Sequence, residues 1–364
     1  MGQFTVTDAD AHYLEDLGEL ATYLEDDDPW KHRFQSTSGG GDATEASSSA
    51  PVSLYPSSTG SRNVFGRIQR PEVTYPEEMG PEDVPDIMNY LGLDNCVILS
   101  QKVLTFGRIR GDDERMNKLA KTYTEYMLDK VVDPDRGIYT MIPAPFHDPE
   151  YTVKLIDEYG RRDGIVGLCM ITAGPEPPLG NRRYEPIYDI CEDLDLPVNF
   201  HTGGAGLEEF HIKGYEEFIE THTLGFLFNN MAQVVSLIVQ GIPEKFPDLD
   251  VMFQESGIFW VPNIMHRLDA EYLKRPSEAP VLEKLPSEYM QEFYYGIQPL
   301  EVPENETHLE HVVDMIGGAD RLMYASDYPH WDYDRPQVIT DREFLDDDEK
   351  ARILHGTAAE VMEI

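Results

Sequence analysis

Residues 5–12 read TVTDADAH, a short apolar run that turns polar at every second position as it ends. Side chains two apart in an extended chain leave the same face of the strand. Asp10 and His12 therefore point together at the strand's end, where one ion can bridge them. Asp8 shares their parity but lies deeper, where a strand interior is packed, and is the weaker ligand candidate. A polar strand end could look the same, so the pair needs partners elsewhere in the chain. No Gly-rich phosphate loop follows this strand, as one would in a doubly wound nucleotide-binding sheet.

Seven more apolar runs bounded by turn residues predict strands at 96–100, 138–142, 166–171, 198–201, 251–254, 293–297 and 322–325, with helical patterns between them. Helices are expected over 116–131, 231–242 and 264–273, from apolar positions at helical spacing. Strands alternating with helices make a parallel sheet, and eight such units close into an α/β fold of the (β/α)8 TIM barrel type. At 364 residues the chain is within the range of one barrel domain, 1–364, with a long insertion after strand 1. The Ser/Gly-rich core of that insertion, 36–62, cannot hold a regular element. It leaves the catalytic face of a barrel, so a lid, an oligomer contact and a surface loop without a role are all open.

Barrel enzymes draw their chemistry from the C-terminal ends of several strands. Here strand one ends in Asp10 and His12, strand five in His201 (NFHTGG), strand six in Glu255 (FQESG) and strand eight in Asp327 (ASDYPH). Two carboxylates and two imidazoles form a mixed oxygen and nitrogen shell that suits one divalent ion, Zn²⁺ first and Mn²⁺, Fe²⁺ or Co²⁺ as alternatives. His330, three residues past Asp327, reads as a substrate-facing residue, or as a loop histidine of no special role. His222 and Gln298 are weaker pocket candidates, while His266, His308 and His311 fall on helical patterns away from strand ends and His147 on a turn.

The Asp-x-His pair, His201 in an HTGG turn, the segment FPDLDVMFQESGIFWVPNIMHRLDAEY and the closing SDYPHWD resemble the amidohydrolase-related family that includes aminocarboxymuconate-semialdehyde and γ-resorcylate decarboxylases. The resemblance runs from Thr5 to about Ala359, apart from the insertion. It implies that Asp10, His12, His201 and Asp327 hold the metal, that Asp327 also moves a proton, and that the reaction is non-oxidative decarboxylation of a small aromatic or unsaturated carboxylic acid. Glu255 departs from it, since the characterised decarboxylases carry a histidine there. A carboxylate at that place can ligate the metal, accept from His201, or transfer a proton. The same shell would serve a hydrolase of an amide, ester or lactone, and a barrel that had lost catalysis would bind metal or ligand alone. Asp327, Glu255 and His330 are the expected catalytic groups.

With 68 acidic against 29 basic residues the formal net charge is −39, which opposes binding to nucleic acid and anionic lipid. No apolar run reaches the roughly 18 residues that span a bilayer, and the start MGQFTVTDAD carries no leader pattern, so a cytoplasmic enzyme is expected. Cys96, Cys169 and Cys191 have no paired spacing and read as buried thiols. The expected partners are a small carboxylate or carbonyl substrate and a second copy of the chain, as a homo-oligomer, most simply a dimer. The acidic, lysine-poor surface is expected to be a halophilic adaptation. If so, the melting temperature rises as KCl goes from about 0.1 M to molar levels, because screening relieves self-repulsion. A melting temperature that is flat or falls over that range would count against it.

Overall fold

The computed structural model describes residues 4–37, 78–102, 104, 106, 111–203, 218–330 and 332–364. Eight parallel strands lie in sequence order in one sheet: β1 (Thr7–Tyr13), β2 (Asn95–Ser100), β3 (Ile138–Pro143), β4 (Ile165–Ile171), β5 (Val198–His201), β6 (Val251–Gln254), β7 (Tyr294–Gly296) and β8 (Leu322–Met323). Backbone bonds from Ala9 N to Tyr324 O (3.0 Å), Asp327 N to Asp10 O (2.7 Å) and His12 N to Tyr328 O (2.7 Å) join the end of the sheet to its beginning. The expected (β/α)8 TIM barrel is therefore the fold.

A principal helix follows each strand: α1 (Asp83–Leu91), α2 (Asp113–Tyr126), α3 (Pro149–Tyr159), α4 (Glu185–Asp193), α5 (Phe218–Val239), α6 (Trp260–Lys274), α7 (Thr307–Ile316) and α8 (Thr357–Met362). Local chemistry sets their ends. The Asp148 carboxylate caps α3 by accepting from Tyr151 N, and Gly92, at φ +79°, closes α1 in the left-handed conformation that glycine adopts without strain. The helix expected over 116–131 begins at Asp113 and its last turn widens over Met127–Val131. The Ser/Gly-rich segment lies outside the described residues from Ser38 onward, while Ser36 and Thr37 complete the helix Pro29–Thr37.

One expectation needs correcting. Helix α5 contains an 18-residue window, His222–Val239, that is long and apolar enough by length and composition to cross a membrane. The run looked broken in the sequence because uncharged polar residues interrupt it without lowering its mean hydropathy much. Those residues tie the helix to the barrel. Asn230 Nδ2 donates to Gln254 O (2.9 Å) and to Ser256 Oγ (2.8 Å), and Gln233 Nε2 donates to Thr172 O (3.1 Å).

Apolar strand residues fill the space between barrel and helices. Phe253, 1% exposed, lies between Phe200 (ring centroids 5.4 Å apart) and Tyr295 (6.2 Å), with Trp260 and Phe293 at its edges. Phe253→Ala is expected to cost about 3–5 kcal/mol of unfolding free energy, read as a lower denaturant midpoint. A loss below about 1 kcal/mol would mean that this ring cluster does not anchor β5, β6 and β7 to their helices.

Candidate metal centre

The C-terminal ends of β1, β5, β6 and β8 bring Asp10, His12, His201, Glu255 and Asp327 into one buried cluster, and the turn after β8 adds His330. Asp10 Oδ1 stands 3.1 Å from His201 Nε2 and 3.7 Å from His12 Nε2, and His12 Nε2 stands 3.1 Å from Asp327 Oδ1. Donor atoms bound to one ion at about 2.0–2.2 Å lie roughly 3.0–3.6 Å from one another, so these separations match the edges of a coordination shell. His201 Nδ1 is 2.6 Å from Thr202 O, a bond that places a proton on Nδ1 and turns Nε2 towards Asp10 and the cluster. Both nitrogens of His12 and Oδ2 of Asp10 are buried without a hydrogen-bond partner. Orphaned donors and acceptors at the centre of a mixed carboxylate and imidazole set fit a divalent ion.

Asp8 sits beneath this layer. Its Oδ1 accepts from Asp10 N (3.1 Å) and Ser326 N (2.8 Å), pinning β1 to the chain after β8, and burial pushes its carboxyl up to about 7. It braces the backbone, in keeping with its ranking as the weaker ligand candidate.

Glu255 adopts φ +57° and Asp327 φ +62°, left-handed conformations rare for residues with a side chain. Glu255 Oε2 lies 3.5 Å from His201 Nδ1, and Oε1 lies 3.9 Å from His330 Nδ1. Burial, then the neighbouring Asp327 and Asp10 charges, push the Glu255 carboxyl well above the usual range; a bound cation would pull it the other way. At Asp327 burial also opposes ionisation, but the His330 and His12 rings prevail and hold the carboxyl well below its usual range. His330 Nδ1 stands 2.5 Å from Asp327 Oδ1, and this partner raises the imidazole against the effect of burial. Burial and the adjacent His330 lower His12, which favours the neutral form that a ligand needs.

His266, His308 and His311 are exposed on α6 and α7, as their helical patterns predict, and His147 is in a turn. His222 comes from the first turns of α5 to 3.5 Å from Asp332 Oδ2, at the rim of the cluster, and Gln298 is buried with its Nε2 3.5 Å from Asp332 O. Asp332 and Gln101 were missed. Gln101 Oε1 lies 2.9 Å from His330 Nε2. Its signal was available, since Gln101 is the first residue past β2 on the same barrel face.

Known proteins resemble this chain at low identity and over long spans. A γ-resorcylate decarboxylase of Polaromonas sp. is 19% identical over 264 residues, covering 70% of this chain and 78% of the relative. An amidohydrolase of Mycobacterium avium subsp. paratuberculosis has the same fold, with a TM-score of 0.77 at 17% identity over 100% of both chains. A dihydroxybenzoic acid decarboxylase of Polaromonas sp. JS666, solved with manganese and the inhibitor 2-nitroresorcinol, has a TM-score of 0.70 at 15% identity over 99% of this chain and 97% of that one. The amidohydrolase family model matches residues 8–364, and by that match the chain belongs to the amidohydrolase family.

Proposed function

We propose that this chain is a metal-dependent carboxy-lyase that removes CO₂ without oxidation from a small aromatic or unsaturated carboxylic acid. The observation that carries the reading is the placement of Glu255, a buried carboxyl turned by a left-handed backbone into a cluster of metal-binding side chains, with Oε2 free of any hydrogen bond. The company of decarboxylases among the relatives supports it.

Asp10, His12, His201 and Asp327 would hold one divalent ion, Zn²⁺ or Mn²⁺ by donor type. When bound, the ion supplies a positive charge that holds a substrate carboxylate and an adjacent hydroxyl and draws electron density towards them. The protein's own residues do the rest. Glu255 gives its proton to the carbon that bears the carboxylate, forming a C–H bond. The carbon–carboxylate bond then breaks, its electron pair restores the ring or alkene, and CO₂ leaves. Glu255 regains a proton from solvent. His201 Nδ1 and His330 Nδ1 lie 3.5 Å and 3.9 Å from its two oxygens and border the carboxyl on either side.

The contact between Asp327 and His330 favours a second reading. A carboxylate hydrogen-bonded to an imidazole suits proton transfer from a water that attacks an amide, ester or lactone carbonyl. Incubation with hydroxybenzoates, aminomuconate-like acids and lactones, following CO₂ release and ring opening separately, decides between the two. CO₂ release from an acid supports the lyase, and ring opening without CO₂ supports the hydrolase. Stoichiometric metal with no turnover of any compound leaves a binding barrel.

Glu255→Gln keeps shape and removes the proton-transfer group. The lyase reading expects turnover to fall by roughly 10² to 10⁴ with metal content unchanged. Metal affinity weakened by about 10- to 100-fold would instead make Glu255 a ligand or a ligand's partner. If neither changes, Glu255 has no part in the chemistry.

A further inference from the structure

On the side of β2 the metal cluster continues into a chain of contacts that ends in a buried carboxylate. Glu15 lies two residues past β1 and is 1% exposed. Its oxygens accept from the Ser100 hydroxyl, from Gln101 N at 3.2 Å and from Lys102 N at 3.0 Å. Gln101 N also faces Tyr13 O at 3.1 Å. The turn after β2 is thereby fastened to the turn after β1 through backbone groups.

From this fixed point Gln101 extends its amide oxygen to 2.9 Å from His330 Nε2. An amide oxygen only accepts, so the imidazole donates to it, and the opposite ring nitrogen stands 2.5 Å from Asp327 Oδ1. The ring is held at both ends, between a fastened turn and a residue placed to bind metal. Asp327 needs such a hold. Its left-handed backbone, at φ +62°, is held by the bond from its own N–H to Asp10 O and by the bond from His330 N to its carbonyl, but neither fixes the side chain, which His330 Nδ1 holds on the side of His12.

We propose that Gln101 is a positioning residue for the metal: through His330 it fixes the carboxylate of Asp327 in the orientation that the ion requires, and Glu15 supplies the anchorage. This rests on the metal site proposed above and adds to it a residue that touches neither ion nor substrate. Partners one step removed from a ligand, as His330 is from Asp327, typically contribute 10- to 100-fold to metal affinity, and Gln101, acting through that ring, is expected at the lower end.

The test is calorimetric titration of the metal-stripped full chain with Mn²⁺. Gln101→Leu, which keeps the bulk and loses the acceptor, is expected to bind Mn²⁺ about 10-fold more weakly. Gln101→Glu, which keeps an acceptor, is expected to recover most of the loss, a rescue that a packing role would not give. His330→Ala is expected to weaken binding too, and adding Gln101→Leu to it to cost nothing more, because both act through one path. Gln101→Ala takes the place of the leucine variant if that one does not fold. Unchanged Mn²⁺ affinity in the Gln101 variants, or losses that add in the double variant, overturns the proposal while leaving the metal site standing. If the unsubstituted chain binds neither Mn²⁺ nor Zn²⁺, the metal site itself falls and this inference with it.

Discussion

The site depends on how the barrel closes. Between the last strand and the first, backbone bonds from Asp327 N to Asp10 O and from His12 N to Tyr328 O run through three of the residues whose side chains form the buried cluster, Asp10, His12 and Asp327. The carboxylate of Asp8 adds a side-chain tie, accepting from Ser326 N below them. A parallel sheet that failed to close would leave these groups at two edges, far apart. Closure and assembly of the seam side of the cluster are thus one event: Asp10, His12 and Asp327, whose side chains meet there, also seal the seam.

The seam also sets an electrostatic constraint. Asp10, Glu255 and Asp327 are all buried in one small volume with His12 and His201. Burying like charges together costs several kcal/mol per ion unless cations or protons compensate. Among the side chains the compensation is divided, with His330 raised beside Asp327 and Glu255 pushed towards its neutral form. A divalent ion would take over that duty at the centre and redistribute the protons. The net charge of −39 works in the same direction from the surface, since it raises the local concentration of cations around the molecule.

What the sequence disclosed follows from periodicity. Asp10 and His12 could be paired on parity alone, and His201 and Asp327 could be placed at strand ends, because a strand has a fixed two-residue repeat and the barrel has a fixed catalytic face. The helices were less legible at their ends. Helix α5 starts at Phe218, well before the apolar run that marked it, because Thr, His, Gly and Asn interrupt the apolar residues of its first turns, and Gly241 at φ +73° lies just past its end. The contacts of Gln101 and the meeting of His222 with Asp332 were not legible, since they join residues far apart in the chain through side-chain reach rather than through a repeat.

Glu255 shows where periodicity fails for a physical reason. Gln254 pairs in register with His201 and shares its inward side; its amide fills the space that Gly296 leaves open, where a Cβ would lie 1.5 Å from Gln254 Oε1. A regular strand would therefore send the next residue, Glu255, outward to the helix layer. The left-handed turn at φ +57° reverses that direction and returns its carboxyl to the cluster, as φ +62° does for Asp327 at the end of the eighth unit. Each such conformation costs of order 1–3 kcal/mol for a residue with a side chain. Glycine would relieve that strain but could not carry a carboxylate. Strain retained at both positions, on the two carboxylates nearest His330, is consistent with selection for where those oxygens lie rather than for stability.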